Sequence, residues 1–176
     1  MGERRFAARG VGKELGGNLA SERRLSKEKG MRFVIGADEY DPVVDVVAGE
    51  LRALGHDVTI VGATPKSPAV WGSVALEVAQ RIAKGAADQG VVCCYTGTGV
   101  SMAANKVRGV RAALCVDAET ARGARRWNDA NVLALSLRLT SPTVAKEIVR
   151  AWVSAPYGGT EGASLEAIRA AETRRG

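Results

Sequence analysis

Short apolar runs alternate with amphipathic helical patterns along residues 31–176. The runs are rich in valine, alanine and leucine, which is typical of strands buried on both faces of a parallel sheet. The predicted strands cover residues 32–38, 57–61, 91–94, 111–116 and 131–135. The predicted helices cover residues 42–54, 74–83, a segment that follows Ser101, 118–126, 142–154 and 165–172. Strands that alternate with helices predict an α/β fold, in which helices cover both faces of a central five-stranded parallel sheet.

The stretch from Val91 to Lys106 combines a buried strand, a glycine-threonine loop and the start of a helix. Cys94 ends the strand, and open α/β sheets place their chemistry at the carboxyl ends of strands. Gly97 and Gly99 allow loop amides to face a ligand, and Ser101 is the predicted N-cap of the helix. The pattern suits a phosphate or an oxyanion. Tight turns also use glycine, and a cysteine at a strand end also serves as a small core residue, so both interpretations stay open.

Charge is concentrated near the N-terminus. Residues 1–30 carry eight lysines and arginines against four glutamates, which accounts for +4 of the net charge of +6. This segment shows no sustained apolar periodicity, so it is predicted to be a flexible basic extension, followed by one α/β domain over residues 31–176. A basic tail with one aromatic residue argues against a nucleic-acid partner. No apolar run has the length of a membrane span, which argues against a membrane partner.

The chain has three cysteines, at positions 93, 94 and 115, and one histidine, His56. Adjacent cysteines do not form an ordinary structural disulfide, and without a CxxC pair no metal site is expected. A reducing cytoplasm is the simplest predicted location. His56 lies at a helix-to-strand turn, away from the carboxyl ends of the strands, and is expected to be a structural hydrogen-bonding residue.

Three segments resemble the type B ribose-5-phosphate isomerases, a family that includes the galactose-6-phosphate isomerase subunits. They are residues 90–106, 107–115 and 128–135, and the resemblance extends over about residues 31–155. It implies a Rossmann-like three-layer sandwich and a homodimer with sites at the subunit interface. A tetramer or a hetero-oligomer with a paralogue stays open. The resemblance also implies no cofactor, and a reaction that interconverts an aldose phosphate and a ketose phosphate through an enediol.

The resemblance also implies roles for individual residues. Cys94 matches the catalytic cysteine that moves the proton as a base, and the loop amides and the helix end should favour its thiolate. Asp38 matches a residue near the substrate hydroxyls, Asn128 matches a substrate-binding asparagine, and Arg138 matches a phosphate-binding arginine. The loop that holds the enediolate matches Thr96, Gly97, Thr98, Gly99 and Ser101.

Several positions depart from the family pattern, so the chain is a divergent member. Glu39 replaces the histidine that follows the aspartate, and Trp127 replaces the ring-opening histidine. Trp71 stands where a substrate-lining tyrosine is expected, and Tyr95 replaces a small glycine. The arginines of the C-terminal segment have no counterpart, because Gly162, Ala163 and Glu166 lie about where they would be.

The resemblance and its departures together imply an aldose–ketose isomerase with an altered sugar or sugar-phosphate substrate. Cys94, Thr96, Asp38 and Glu39 form the expected catalytic set. The expected substrate-binding residues are Gly97, Thr98, Gly99, Ser101, Asn128, Arg138, Trp71 and Trp127. The alternative is a non-catalytic paralogue that binds a sugar or pairs with an active subunit. In that case Cys94 would be a packing residue, and the two tryptophans would belong to an interface.

Overall fold

The computed structural model describes residues 30–174 and contains one parallel sheet of five strands. The strands are β1 (Arg32–Ala37), β2 (Asp57–Gly62), β3 (Gln89–Cys94), β4 (Ala112–Leu114) and β5 (Val132–Ser136), in the spatial order β2-β1-β3-β5-β4. The prediction of a five-stranded parallel sheet is therefore confirmed. The edge strand β4 is shorter than predicted, because Leu114 is its last residue paired with β5 and Asp117 caps the next helix.

The described chain has six helices, and the first five of them cover the two faces of the sheet, which confirms the three-layer architecture. They are α1 (Pro42–Ala53), α2 (Trp71–Ala83), α3 (Thr98–Ala104), α4 (Ala118–Asn128), α5 (Pro142–Ser154) and α6 (Gly162–Thr173). Helices α1, α4 and α5 share a buried cluster with Phe33, Val91 and Cys93. Helices α2 and α3 share another with Val34, Val92 and Cys94. Successive residues of β3 thus contribute to opposite faces, as the pleat of a strand requires.

Local capping explains where α1 and α5 begin. The Asp41 side chain accepts a hydrogen bond from the Val43 amide (2.8 Å) at the start of α1. The Ser141 hydroxyl accepts from the Val144 amide (3.3 Å) at the start of α5, and a proline follows each of these caps. Such caps satisfy amides that have no partner within the helix. Helices α2 and α6 each begin three residues earlier than predicted, and neither has a side-chain cap that the sequence would reveal.

His56 is a structural residue, as predicted. Its Nδ1 accepts a hydrogen bond from the Met31 amide (3.1 Å), and its ring centroid lies 5.3 Å from that of Phe33. Burial lowers the pKa of the imidazole, because the protonated form would lose hydration. His56 therefore links the turn after α1 to the residue before β1 by a hydrogen bond that its neutral ring accepts.

The predicted N-terminal extension lies, except for Gly30, outside the described residues, and its separation from residues 31–176 stays a prediction. Within the described part of the chain, no helix combines the length and hydropathy needed to cross a bilayer.

Candidate active site

Cys94 lies at the carboxyl end of the central strand β3, between β1 and β5. All three cysteines are buried, but Cys94 is the least so, at 6% exposed against 0% for Cys93 and 1% for Cys115. Burial raises the pKa of both Cys93 and Cys115 to about 12, since a thiolate there would have almost no hydration. Cys94 is therefore the least buried of the three cysteines, and it lies at the carboxyl edge of the sheet.

The turn after Cys94 requires glycine at position 97. Gly97 has φ +74°, and a Cβ there would lie 2.5 Å from Leu114 Cδ1 and 2.9 Å from the Leu135 carbonyl carbon. This left-handed residue reverses the chain, so that α3 begins directly beyond it at Thr98. The hydroxyls of Thr96 and Thr98 are hydrogen-bonded at 2.7 Å. The turn thus brings both threonines together at the edge of the sheet.

The first amides of α3 donate no hydrogen bond to any described residue. The amides of Thr98, Gly99 and Val100 precede the first intrahelical bond, which runs from the Ser101 amide to the Gly97 carbonyl (3.2 Å). No side chain of the described residues caps them. This arrangement of N–H groups beside Cys94 suits a developing negative charge on an oxygen.

The prediction that Ser101 is the N-cap is wrong, because α3 begins three residues earlier, behind Gly97. The Ser101 amide is inside the helix, and its hydroxyl donates to the Ala112 carbonyl (3.4 Å). Asn105 reinforces that contact, since its amide nitrogen also donates to the Ala112 carbonyl (2.8 Å). The side chain of Ser101 in this structure therefore supports the packing of α3 against β4.

Asp38 is the neighbour of Cys94 across the sheet. Ala37 pairs with Cys93 in the β1–β3 ladder, so Asp38 and Cys94 are the next residues on their strands. Oδ1 of Asp38 is buried and has no hydrogen-bond partner. Burial raises the pKa of Asp38, and repulsion from the charge of Glu39 adds to the effect. A carboxyl group with this environment at a strand end is a candidate for proton transfer.

Glu39 is exposed and lines a separate hollow at the same edge of the sheet. This cavity of about 250 Å³ is also lined by Tyr40, Asp45, Ile60 and Thr64. The Tyr40 hydroxyl donates to Asp45 Oδ2 across 3.1 Å. Although Glu39 follows Asp38 in the sequence, it lines this hollow between the ends of β1 and β2.

Trp71 lies against the glycine-threonine loop. A Cβ on Gly99 would come within 3.1–3.3 Å of three atoms of the Trp71 ring. The loop that leads to Trp71 is held at the end of β1, because the Ala63 amide donates to the Ala37 carbonyl and the Ala69 amide to the Asp38 carbonyl, both at 2.8 Å. The structure therefore brings Trp71, Asp38, Cys94 and the glycine-threonine loop together.

Arg138 reaches the same loop through Tyr95, a residue that the sequence marks as a departure from the family pattern and not as a site residue. Its Nη1 donates to the hydroxyl of Tyr95 (2.9 Å), and its guanidinium carbon lies 5.8 Å from the centroid of that ring. The signal in the sequence is the position of Tyr95, directly after Cys94. The contact itself joins residues 43 positions apart, so no local pattern indicates it.

Trp127 and Asn128 lie at the C-terminal end of α4. The Trp127 ring folds back over Gly123, where a Cβ would lie 2.7 Å from it. Asn128 lines a cavity of about 510 Å³ with Asn105 and Glu172, and Trp127 and Asn128 both border a second hollow beneath α6. Neither cavity is lined by Cys94 or by the loop and helix start at residues 95–101. Within a single chain, Trp127 and Asn128 therefore do not share a cavity with Cys94.

Comparison with known proteins gives one consistent family. The family model described as Ribose/Galactose Isomerase matches residues 33–169. Ribose-5-phosphate isomerase B of Escherichia coli is 45% identical over 102 residues, which cover 57% of this chain and 68% of that protein. D-erythrulose-4-phosphate isomerase of Pectobacterium atrosepticum is 36% identical over 142 residues, which cover 78% and 93%.

A solved structure and a longer relative extend the comparison. The type B ribose 5-phosphate isomerase of Trypanosoma brucei superposes with a TM-score of 0.77 at 39% identity, covering 81% of this chain and 99% of that one. The DNA damage-repair/toleration protein DRT102 of Arabidopsis thaliana is 38% identical over 130 residues, 72% of this chain. This chain spans 40% of the length of that relative.

Proposed function

The chain belongs to the ribose/galactose isomerase family, and we propose that it interconverts the aldose and ketose forms of a sugar phosphate through an enediol. The observation that carries this proposal is the placement of Cys94 at the end of the central strand, between Asp38 and the open amides of α3. A base, a second proton-transfer group and an oxyanion site are the parts that this chemistry needs.

Each part has a specific task in the proposed reaction. The Cys94 thiolate removes the proton from the second carbon of the open-chain aldose, and the electron pair moves towards the first carbon and its oxygen. The amides of Thr98, Gly99 and Val100 donate to the enediolate oxygen, with the Thr96 and Thr98 hydroxyls beside them. Cys94 returns the proton to the first carbon, while Asp38, the carboxyl group beside Cys94, transfers a proton from the second oxygen to the first.

We infer that the substrate does not require ring opening by the enzyme. The family resemblance expects histidines at positions 39 and 127, and this chain has a glutamate and a tryptophan there. A four-carbon sugar phosphate whose C4 oxygen carries the phosphate has no hydroxyl group that could close a five- or six-membered ring, so it stays in open-chain form and needs no ring-opening imidazole. The name of the Pectobacterium relative, an isomerase of D-erythrulose 4-phosphate, supports a substrate of this size.

We also propose that two copies of the chain form the working enzyme. Trp127 and Asn128 lie apart from the Cys94 loop within one chain, so a second copy would supply them to the site. Exposed apolar side chains on and around α3 and β4 support such an interface, and they include Met102 (61% exposed), Leu114, Val116 and Leu139 (67% exposed). Light scattering should give the mass of a dimer both for the full chain and for a chain without residues 1–30, and a monomer would contradict the proposal.

A cytoplasmic location is part of the proposal. The three cysteines of the chain, Cys93, Cys94 and Cys115, are all free thiols. Free thiols are the rule in a reducing compartment.

Proton exchange in heavy water tests the proposed reaction directly. Purified protein is incubated with sugars of four, five and six carbons, with and without phosphate, and NMR measures deuterium at the second carbon. We expect exchange with a phosphorylated sugar that is lost in Cys94→Ala. The matched control is Cys93→Ala, which truncates the preceding cysteine on the opposite face of β3. Absence of exchange with every sugar, from a folded protein, would favour the non-catalytic binding role instead.

A further inference from the structure

Tyr95 and Arg138 form one unit beside the Cys94 loop. The Arg138 Nη1 donates to the Tyr95 hydroxyl (2.9 Å), and the guanidinium carbon lies 5.8 Å from the ring centroid. Both side chains are exposed, so without Tyr95 the Arg138 side chain would sample many rotamers. The phenol and the ring face together restrict the guanidinium to one region of the site.

The backbone around this pair is fixed as well. The Arg138 amide donates to the Tyr95 carbonyl (3.0 Å), and the Leu137 amide donates to the Cys94 carbonyl (3.0 Å). The hydroxyl of Ser136 is buried and donates to the same Tyr95 carbonyl (2.9 Å). The end of β5 is thus tied to the end of β3, so the base of the Arg138 side chain keeps its position relative to Cys94.

The charge of Arg138 is not neutralised by a carboxylate of the described chain. Seven other arginines of the described residues are in ion pairs with aspartate or glutamate: Arg32, Arg81, Arg111, Arg122, Arg125, Arg150 and Arg169. A guanidinium has five N–H donors, and Tyr95 accepts from one of them. The remaining donors and the full positive charge are available to an anion.

We propose that Tyr95 is a positioning residue, which holds the Arg138 guanidinium where it binds the phosphate group of the substrate. This proposal rests on the proposed isomerase function, and it assigns a task to a side chain where the family resemblance expects a small glycine. A single arginine that is already ordered binds an anion with a smaller loss of rotamer freedom. Tyr95 therefore compensates in part for the missing arginines of the C-terminal segment.

Tyr95→Phe is the direct test, because it keeps the ring and removes the acceptor. We expect KM for the phosphorylated substrate to rise about tenfold, as the loss of one hydrogen bond to a charged group implies, with most of the loss in kcat/KM appearing in KM. For the same sugar without phosphate, KM should change less than about twofold. The control is Tyr157→Phe, which removes a phenolic hydroxyl from the segment between α5 and α6.

A double-mutant cycle shows whether Tyr95 acts through Arg138. The Tyr95→Phe change should have no further effect on KM when Arg138 is already alanine. An equal rise in KM for phosphorylated and unphosphorylated sugar, or a full Tyr95→Phe effect in the Arg138→Ala background, would overturn the proposal. Either result would mean that the tyrosine supports the fold of the loop and not the binding of phosphate.

Binding of inorganic phosphate separates this proposal from the proposed reaction. Calorimetry should show that the wild-type protein binds phosphate, and that Tyr95→Phe and Arg138→Ala both weaken that binding. If no sugar phosphate is turned over but this pattern holds, the isomerase function fails and the positioning role stands. If turnover is found but Tyr95→Phe leaves both KM and phosphate binding unchanged, the positioning role fails alone. A wild-type protein that does not bind phosphate also overturns it.

Discussion

The Trp71 ring lies directly over the α-carbon of Gly99, so that a Cβ at position 99 would be 3.1 Å from the nearest ring atom. This contact fixes one wall of the candidate site, because Gly99 supplies one of the three open amides of α3. The Trp71 wall and the proposed oxyanion site therefore meet at Gly99, a position without a side chain.

Gly99→Ala should reduce turnover with little effect on stability. Trp71 is about half exposed, so its ring can move by the few tenths of an ångström that the new methyl requires, but it then no longer lies in its present place over the loop. We expect turnover to fall about tenfold and the free energy of unfolding to change by less than about 1 kcal/mol. Steady-state kinetics and denaturant titration measure both quantities.

Gly97→Ala and Gly49→Ala are the two reference variants for that measurement. Gly97 has φ +74° and faces backbone atoms that cannot move away, so alanine there should cost about 1–3 kcal/mol of stability. Gly49 lies in α1, and a methyl group added there would have no neighbouring atom within 4 Å, so alanine should leave turnover unchanged. A Gly99→Ala protein as unstable as Gly97→Ala would show that the Trp71 ring is not free to shift.

Alkylation should distinguish the three cysteines. Cys93 and Cys115 are buried and their pKa values are raised to about 12, so almost no thiolate is present in either at neutral pH. Cys94 is the least buried of the three and borders the open amides of α3. Iodoacetamide at about pH 7.5, followed by peptide mass spectrometry, should modify Cys94 first, and the loss of activity should follow that modification in time. Labelling of all three at one slow rate would indicate that global unfolding exposes them together.

Asp38→Asn should stabilise the protein while it reduces turnover. The buried Oδ1 has no partner and burial raises the pKa of the carboxyl group, so the ionised form is disfavoured in the folded state. The neutral amide should raise the free energy of unfolding at pH 7 by about 1 kcal/mol. This gain should vanish as the pH falls below about 4, where the carboxyl group is protonated in the unfolded chain as well.

Asp57→Asn provides the control for Asp38→Asn, because Asp57 is exposed at the start of β2, at the opposite end of the sheet. It should alter neither stability nor turnover appreciably. Loss of stability in Asp38→Asn at pH 7 would mean that the ionised carboxylate is favoured in the fold.

The neutral His56 ring should make the protein less stable in weak acid. Its pKa is lowered in the folded state, so below about pH 6.5 the unfolded chain binds the additional proton. The contribution of His56 to stability is therefore complete above that pH and is lost as the pH falls through the folded-state value. Denaturant titrations from about pH 8 to about pH 5 should show a smaller decrease for His56→Gln than for the wild type, and parallel profiles would contradict this role.

The sequence predicts the sheet and the strand-end cysteine because both depend on local patterns. The run from Val91 to Cys94 is apolar on both faces, and the glycine-threonine loop follows it directly. Ser101 shows where a local rule fails: serine favours an N-cap, but Gly97 reverses the chain earlier, and α3 starts there. The helix start is decided by how the turn packs on Leu114 and Leu135, which a propensity does not include.

Contacts between residues on different strands cannot be predicted from local sequence patterns. Tyr95 meets Arg138 because β3 and β5 are neighbours, and this strand order follows from the packing of the whole domain. Asp38 is predicted at the correct edge, but the absence of a partner for its Oδ1 depends on the side chains around it. The positions of Trp127 and Asn128 relative to Cys94 depend on a second copy of the chain in our proposal, which a single sequence pattern cannot describe.

The alternation of β3 places two identical residues, Cys93 and Cys94, in different surroundings. Position 93 faces a core where shape and volume matter, so small apolar replacements such as alanine or valine should persist there under selection for folding alone. Position 94 should accept almost no replacement while the reaction is under selection. Once the reaction is no longer selected, it should accept the same small apolar residues as position 93. The residues tolerated at each of these two positions, determined in a library of variants selected for activity, would therefore show which cysteine is needed for the reaction and which for folding alone.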